Sequence, residues 1–158
     1  MSDTTKNNAA VTYRNLHISG QGFVNRIRTV TPDHGEPYLS CAIALEEGKV
    51  VDGDYSKLNT TWVDCRISGK AVQQLFLDQF ADDQGNLQQP EDKRVRAYVR
   101  LAGLTVKPFV YKNGDKQGQP GASVYARLMK VDGLYVGGEK VDLSDYYTDQ
   151  SESEDNPG

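Results

Sequence analysis

The chain has 158 residues, of which 37% are hydrophobic, and it carries a formal net charge of -4. This length predicts one domain with its own core. No apolar run is long enough to span a membrane, and the opening "MSDTTKNNAA" lacks the apolar centre of a signal peptide, so we expect an intracellular protein without membrane contact. Cys41 and Cys65 each fall in an alternating apolar pattern, which favours reduced core thiols over a disulfide.

The charge is unevenly distributed along the chain. Residues 139–158 contain seven acidic side chains and one lysine, so this segment carries -6 and leaves +2 for the remainder. Such a polar, acidic stretch predicts disorder, and we place an acidic disordered tail at residues 137–158. A flexible N-terminus is predicted at residues 1–12, which leaves residues 13–136 as the folded domain.

The first half of this domain predicts three strands. The first runs from Tyr13 to Val30, with Gly20 and Gly22 where a strand would bend or bulge. After the turn "TPDHGEP", the segment "YLSCAIAL" alternates cleanly and forms the second strand. The third strand lies in "TTWVDCRI", where Val63, Cys65 and Ile67 occupy one face.

A single helix follows the third strand. In "KAVQQLFLDQF" the apolar residues Val72, Leu75, Phe76 and Phe80 recur at helical spacing, and Ser68 is placed to cap the helix start. We expect this short amphipathic helix to cover one end of the core.

Two further strands complete the domain. "RVRAYVRL" alternates, "AGLTVKPFVY" extends it past Gly103, and the glycine-rich "KNGDKQGQPG" predicts a hairpin loop before the last strand, "ASVYARLMKV". Five strands with one helix between the third and fourth predict a mainly β fold, namely a five-stranded oligonucleotide/oligosaccharide-binding (OB) barrel. The alternative architecture is a two-sheet sandwich.

The strand faces opposite the core combine aromatic rings with cations. Single-stranded nucleic acid requires this combination, because splayed bases stack on rings while phosphates attract Lys and Arg. The residues on these faces are Arg26, Arg28, Tyr38, Trp62, Arg66, Arg94, Arg96, Tyr98, Arg100, Lys107, Phe109, Tyr111, Tyr125 and Arg127. Trp62, the only tryptophan, stands among charged neighbours, which suggests a stacking role.

The sequence offers little support for catalysis or a cofactor. His17 and His34 are the only histidines, and neither has a Cys, His or acid at metal-ligand spacing. "GQGFVN" and "SGKA" lack the glycines of nucleotide-binding loops. We therefore expect no enzyme activity, no metal and no cofactor.

The run "TTWVDCRISGKAVQQLFLDQF" resembles bacterial single-stranded-DNA-binding protein, where a Thr-x-Trp strand leads through Gly-Lys into a helix. A broader resemblance covers roughly residues 13–136. There, "YRNLHISGQGFVNRIRTVTPDHGEPYLSCAIAL", "DCRISGKAVQQL" and "KQGQPGASVYARL" are similar to a family of replication proteins carried by integrative conjugative elements.

The first resemblance implies roles for particular residues. Trp62 matches a base-stacking tryptophan, Gly69 and Lys70 match the turn into the helix, and Phe109 or Tyr111 falls near a second stacking ring. Lys70 is accordingly a further candidate nucleic-acid contact. The resemblance also implies a homo-oligomer, dimer or tetramer, in a bacterial cytoplasm, with replication or conjugation proteins as further partners. Two departures stand out, because Ser68 replaces a stacking phenylalanine and the tail ends "SEDNPG" without a terminal hydrophobic residue.

Together these features predict a non-catalytic domain that binds single-stranded DNA without sequence preference, in replication or transfer of a mobile element. The alternative is a protein–protein interaction module, since Trp, Tyr and Arg are also the residues that dominate protein interfaces. In that case the outward rings and arginines would contact another subunit or a partner protein.

Overall fold

The protein is described by a computed structural model that covers residues 10–12, 14 and 16–147. Its elements are β1 (His17–Val30), β2 (Tyr38–Glu47), β3 (Asn59–Ile67), α1 (Lys70–Phe80), β4 (Val95–Val110), β5 (Pro120–Val136) and β6 (Glu139–Lys140). The described part of the chain is therefore mainly β with one helix, as predicted. The helix has the predicted bounds, whereas β6 was not expected, and Tyr13 lies outside the described residues.

Five strands pair in a closed ring. Antiparallel neighbours follow the order β3-β2-β1-β4-β5, and a parallel pairing between β3 and β5 joins the two ends. In that closing pair, Asp64 to Ile67 lie beside Tyr125 to Leu128. Each of the five strands thus has two neighbours over part of its length, which removes the exposed sheet edges that invite association with other chains.

The core fills the ring, and α1 covers one end of it. Strand residues such as Ile43, Leu101 and Leu128 are at most 1% exposed, and the helix adds the four apolar residues that the sequence pattern selected. Cys41 and Cys65 face each other across β2 and β3 as free, buried thiols. The hydrogen bond with Cys65, together with burial, raises the pKa of Cys41, so this thiol packs as a small apolar group.

Strand β1 contains a bulge that reverses its alternation. Val24 and Ile27 are both buried, although they are three positions apart and strict alternation would place them on opposite faces. The register with β2 shifts between Asn25 and Arg28, and Arg26 has a φ of 55°. The extra residue leaves Arg26 and Arg28 exposed on the outer face. The sequence placed the bend at Gly20 and Gly22, upstream of where it occurs.

The side chain of Gln89 completes the hydrogen bonding of this bulge. Its Oε1 accepts a hydrogen bond from the Ile27 backbone N–H at 3.0 Å, and its Nε2 donates to the Val24 carbonyl at 3.2 Å. A bulge leaves strand groups without ladder partners, and here one amide from the loop before β4 satisfies two of them.

The helix begins differently from the sequence prediction. Gly69, not Ser68, is the N-cap, and it makes no side-chain capping bond. A Cβ on Gly69 would lie 2.3 Å from the carbonyl oxygen of Met129, so the corner between β3 and α1 accepts only glycine there. The prediction of a Ser68 cap is wrong because β5 packs against this corner, a contact the local sequence does not reveal. The Ser68 hydroxyl instead donates to the Arg66 carbonyl at 3.4 Å.

The chain continues as ordered structure beyond residue 136. Strand β6 pairs with β5, and Val141 and Leu143 pack against the core. The Tyr147 hydroxyl accepts a hydrogen bond from the Val131 N–H at 3.0 Å, and the Tyr146 hydroxyl donates to Asp78 on α1. Disorder was predicted from residue 137, and that prediction is wrong for residues 137–147. Residues 148–158 lie outside the described part.

The bond to Asp78 also affects the titration of both partners. It raises the pKa of Tyr146 to about 12, and it is the main cause of the lowered pKa of Asp78. Because the proton of the tyrosine is needed for this bond, the contact between residues 141–147 and α1 is present at neutral pH. It is lost as the pH rises through about 12.

We expect Gln89→Ala to lower the free energy of unfolding by about 1–3 kcal/mol, because it leaves a donor and an acceptor in the half-buried bulge without partners. Urea unfolding followed by far-UV circular dichroism measures this loss. Gln88→Ala is the matched control, since its side chain is exposed and bonds only to Asp82. Equal midpoints for the two variants would contradict the role assigned to Gln89.

Candidate nucleic-acid interface

The outer face of β1, β2 and β3 forms a trough. The middle strand contributes small side chains, while its neighbours carry large or charged ones at the paired positions. The floor consists of Ser40, Ala42 and Ala44 on β2. In register with them on β3 are Arg66, Asp64 and Trp62. Ala42 and Ala44 are buried on this outer face because taller side chains flank them on both sides.

One end of the trough is a basic groove of about 560 Å³. Strands β1, β2, β3, β4 and β5 all contribute to its walls, so the groove exists only in the closed ring. Its four cations are Arg26, Arg28, Arg66 and Lys107, and its two rings are Tyr38 and Tyr125. The β1 bulge brings Arg26 and Arg28 into this wall.

Two of these cations lie on the two rings. The Arg66 guanidinium carbon is 4.3 Å from the centre of the Tyr38 ring, and Lys107 Nζ is 4.9 Å from that of Tyr125. Such contacts orient the charged groups without neutralising them. Arg26 and Arg28 have no ion-pair partner within the described residues. The groove therefore presents cations that are free to contact an anion.

The other end of the trough is a tryptophan hollow of about 520 Å³, which Trp62, Phe23 and Arg94 line. Trp62 is 55% exposed. The guanidinium carbon of Arg94 is 5.0 Å from the centre of the Phe23 ring. Glu91 and Asp92 also line this hollow, so it is less basic than the groove.

The hollow and the groove follow one another along the same strands. Trp62 and Arg66 lie four residues apart on one face of β3, a separation of about 13 Å. An extended chain could therefore contact the ring of Trp62 and the cations of the groove together. Phe23 was not among the predicted site residues, although its position between Gly22 and the inward Val24 placed it on the outer face.

Two predicted site residues, Arg96 and Tyr98, line neither the groove nor the hollow, although the Arg96 guanidinium carbon is 5.2 Å from the centre of the Phe23 ring. Arg96 forms an ion pair with Glu46 at 2.9 Å and donates a hydrogen bond to Gln21 at 2.6 Å. Tyr98 lies against Gly133, with its ring centre 6.3 Å from that of Tyr135. Both side chains thus have partners within the protein.

Three other predicted cations lie outside the walls of the groove and the hollow. Arg127 pairs in register with Arg66, and its guanidinium lies beside Gly103. Arg100 faces Lys130 across β4 and β5. Lys70 is exposed at the first residue of α1. Of the three, Arg127 is the one that extends the basic surface next to the groove.

The hairpin between β4 and β5 continues the groove as an arm. Lys107 lines the groove, and Phe109 lies two residues further along the same face of β4. The Phe109 and Tyr111 rings meet edge to face at 4.9 Å and cover Gly121, where a Cβ would come within 2.8 Å of both. The two predicted aromatic residues therefore form one cluster at the tip of the arm.

Within residues 10–12, 14 and 16–147, no three or more His, Cys, Asp or Glu side chains are grouped as a metal site would require. No helix in that part of the chain has the length and apolar character needed to cross a bilayer.

The chain was also compared with known proteins. A search of curated proteins found no match, and a search of solved structures found none either. A family model described as "Protein of unknown function (DUF3577)" matches residues 6–154. Since this match includes nearly the whole chain, the protein belongs to the DUF3577 family.

Proposed function

We propose that this protein binds single-stranded DNA and catalyses no reaction of its own. The observation that carries the proposal is the basic groove, which joins four cations and two aromatic rings in one concavity. A single strand offers one phosphate charge per nucleotide and one exposed ring face per base, so both of its features find partners there. The rings of Trp62 and Phe23 in the adjoining hollow extend the stacking surface.

The ring of strands supports the further proposal that this is an OB fold. Five strands close in the order β1-β2-β3-β5-β4, and the helix lies between β3 and β4 in the chain. OB folds bind oligonucleotides on the face formed by their second and third strands, which is where the trough lies here. The resemblance to bacterial single-stranded-DNA-binding protein through Trp62 and Gly69 agrees with this assignment.

The proposal extends to the cellular role that the sequence resemblance implied. The protein would act in replication or transfer of an integrative conjugative element in a bacterial cytoplasm, as a dimer or tetramer. Binding that stacks bases and neutralises phosphates suits such a role, because the DNA sequence exposed during these processes varies.

A protein–protein interface is the second candidate function, and the arm favours it. Val106 and Val110 are 59% and 58% exposed, and Phe109 is 38% exposed. Apolar and aromatic side chains of this kind are typical of contacts between subunits. Salt dependence separates the two functions, since an apolar interface lacks the counterion release that accompanies strand binding.

The first prediction tests strand preference. A thymine oligomer should quench the fluorescence of Trp62, because a base stacks on its exposed ring. A duplex of equal length should bind more weakly, since its bases are already stacked on one another. Tighter binding of the duplex would contradict the proposed function.

The second prediction concerns phosphate contacts. If Arg26, Arg28, Arg66, Lys107 and Arg94 each neutralise one phosphate, the logarithm of the affinity should fall with that of the salt concentration at a slope of about -3.5. Arg28→Ala should flatten this slope by about 0.7, because one contact is lost. Lys70→Ala removes an equal charge outside the groove and should leave the slope unchanged. A slope near zero for the unaltered protein would favour the interface function.

The third prediction concerns the tryptophan. Trp62→Ala should weaken binding of a labelled thymine oligomer roughly fivefold or more, because stacking contributes about 1–3 kcal/mol per base. Fluorescence anisotropy measures this, since the variant has no tryptophan. Tyr98→Ala serves as the control, because it removes an exposed ring that lies outside the hollow and the groove. Equal losses in the two variants would show that Trp62 has no special role.

A further inference from the structure

Asp64 is the one acidic side chain among the described residues that line the basic groove. It lies on β3 between Trp62 and Arg66, on the same outer face. In register it is beside Ala42 on β2 and Tyr125 on β5. Asp64 thus has Tyr125 on one side and the small Ala42 on the other, and Trp62 and Arg66 lie two residues away along β3 on the same face.

In the described part of the chain this carboxylate has no hydrogen-bond or ion-pair partner, although four cations line the same groove. Arg66 lies over Tyr38 and Lys107 lies over Tyr125, so both are directed to rings. Within the described residues Asp64 makes no hydrogen bond, and the ion pairs there join other side chains. The side chain is half-buried, and its oxygens are not among the buried atoms that lack a partner, so they are available to accept hydrogen bonds from a donor on a ligand in the groove.

A phosphate cannot supply that donor, because its oxygens are negatively charged and would be repelled by the carboxylate. The bases can supply it through their Watson–Crick edges. Guanine offers two adjacent donors, N1–H and the 2-amino group, which match the two oxygens of a carboxylate. Cytosine and adenine each offer one amino group, and thymine offers only an N3–H between two carbonyl oxygens.

We propose that Asp64 binds the Watson–Crick edge of a base stacked in the basic groove and makes that position prefer guanine. This inference rests on the proposed function and refines it. The rings and cations accept any strand, while one position discriminates among bases. Binding is then independent of sequence along most of the strand and biased at a single nucleotide.

The substitution Asp64→Asn separates this role from a general electrostatic one. It removes a negative charge from the groove, so affinity for a thymine strand should rise. It also removes the acceptor pair that guanine requires, so the preference for guanine should fall. A side chain that merely positioned the arginines would change the affinities for all strands in one direction and by a similar factor.

The experiment compares three labelled strands of equal length: all thymine, alternating thymine and guanine, and alternating thymine and hypoxanthine. Hypoxanthine is a purine without the 2-amino group, so it corrects for the stronger stacking of purines. Lithium salts keep the guanine strand single-stranded.

The unaltered protein should bind the guanine strand about fivefold more tightly than the hypoxanthine strand. This factor is the lower end of the discrimination expected from a bidentate hydrogen-bonded contact to a base. Asp64→Asn should bring that ratio close to one. Asp83→Asn, the same charge change in the exposed loop after α1, should leave it unchanged.

Several outcomes would overturn the assignment. A guanine-to-hypoxanthine ratio of one in the unaltered protein, or the same ratio before and after Asp64→Asn, would exclude base recognition. If Asp64→Asn instead weakened only a uracil strand that carries ribose, the carboxylate would bind the 2′-hydroxyl. In these cases strands still bind, and the proposed function stands. Failure of all three strands to bind would overturn the function and the inference together.

Discussion

The amide of Gln89 supports the part of the structure on which the candidate site depends. It bonds to Val24 and Ile27 on either side of the β1 bulge and thereby satisfies the backbone where the strand departs from its ladder. Without the bulge, Val24 and Ile27 could not both face the core, because a regular strand alternates. One side chain from a distant loop thus allows β1 to bury both residues while it carries Arg26 and Arg28 outward.

The basic groove follows from the same arrangement. Its cations come from three strands that are far apart in sequence, and they converge only because β1 is bent and β5 lies beside β3. The small side chains of β2 keep the floor low enough for a ligand to enter. Packing and recognition are therefore coupled, since the bulge that fills the core with Ile27 also sets the direction of Arg28.

The sequence was sufficient for the elements whose side-chain pattern is local. The helix at Lys70–Phe80 could be predicted to the residue because Val72, Leu75, Phe76 and Phe80 keep a strict helical spacing. The N-cap could not be predicted in this way. Gly69 is needed there because the Met129 backbone of β5 leaves no room for a Cβ, and this contact joins residues that are distant in sequence. The bulge could have been inferred from the sequence, because Val24 and Ile27 are both apolar although a regular strand would place them on opposite faces.

The acidic composition of the C-terminal segment predicted disorder where residues 137–147 are folded. Residues 139–158 are acidic as a whole, yet Leu143, Tyr146 and Tyr147 supply enough apolar surface to pack on the core. At the candidate site, the sequence identified most of the outward rings and cations. It could not tell which of them already have partners, as Arg96 has in Glu46, because that depends on the register between strands.

The pairing of β3 with β5 determines when the groove can fold during synthesis of the chain. The β3 residues Asp64 to Ile67 pair with the β5 residues Tyr125 to Leu128. About sixty further residues must therefore be synthesised after β3 before this pairing can form. Lys107 and Tyr125, one wall of the groove, also come from the last third of the chain. Synthesis proceeds from the N-terminus at about 5–20 residues per second, so a nascent chain on the ribosome carries Trp62 and Arg66 for seconds without the strand that completes their groove. The groove therefore forms only after Tyr125 to Leu128 have been synthesised.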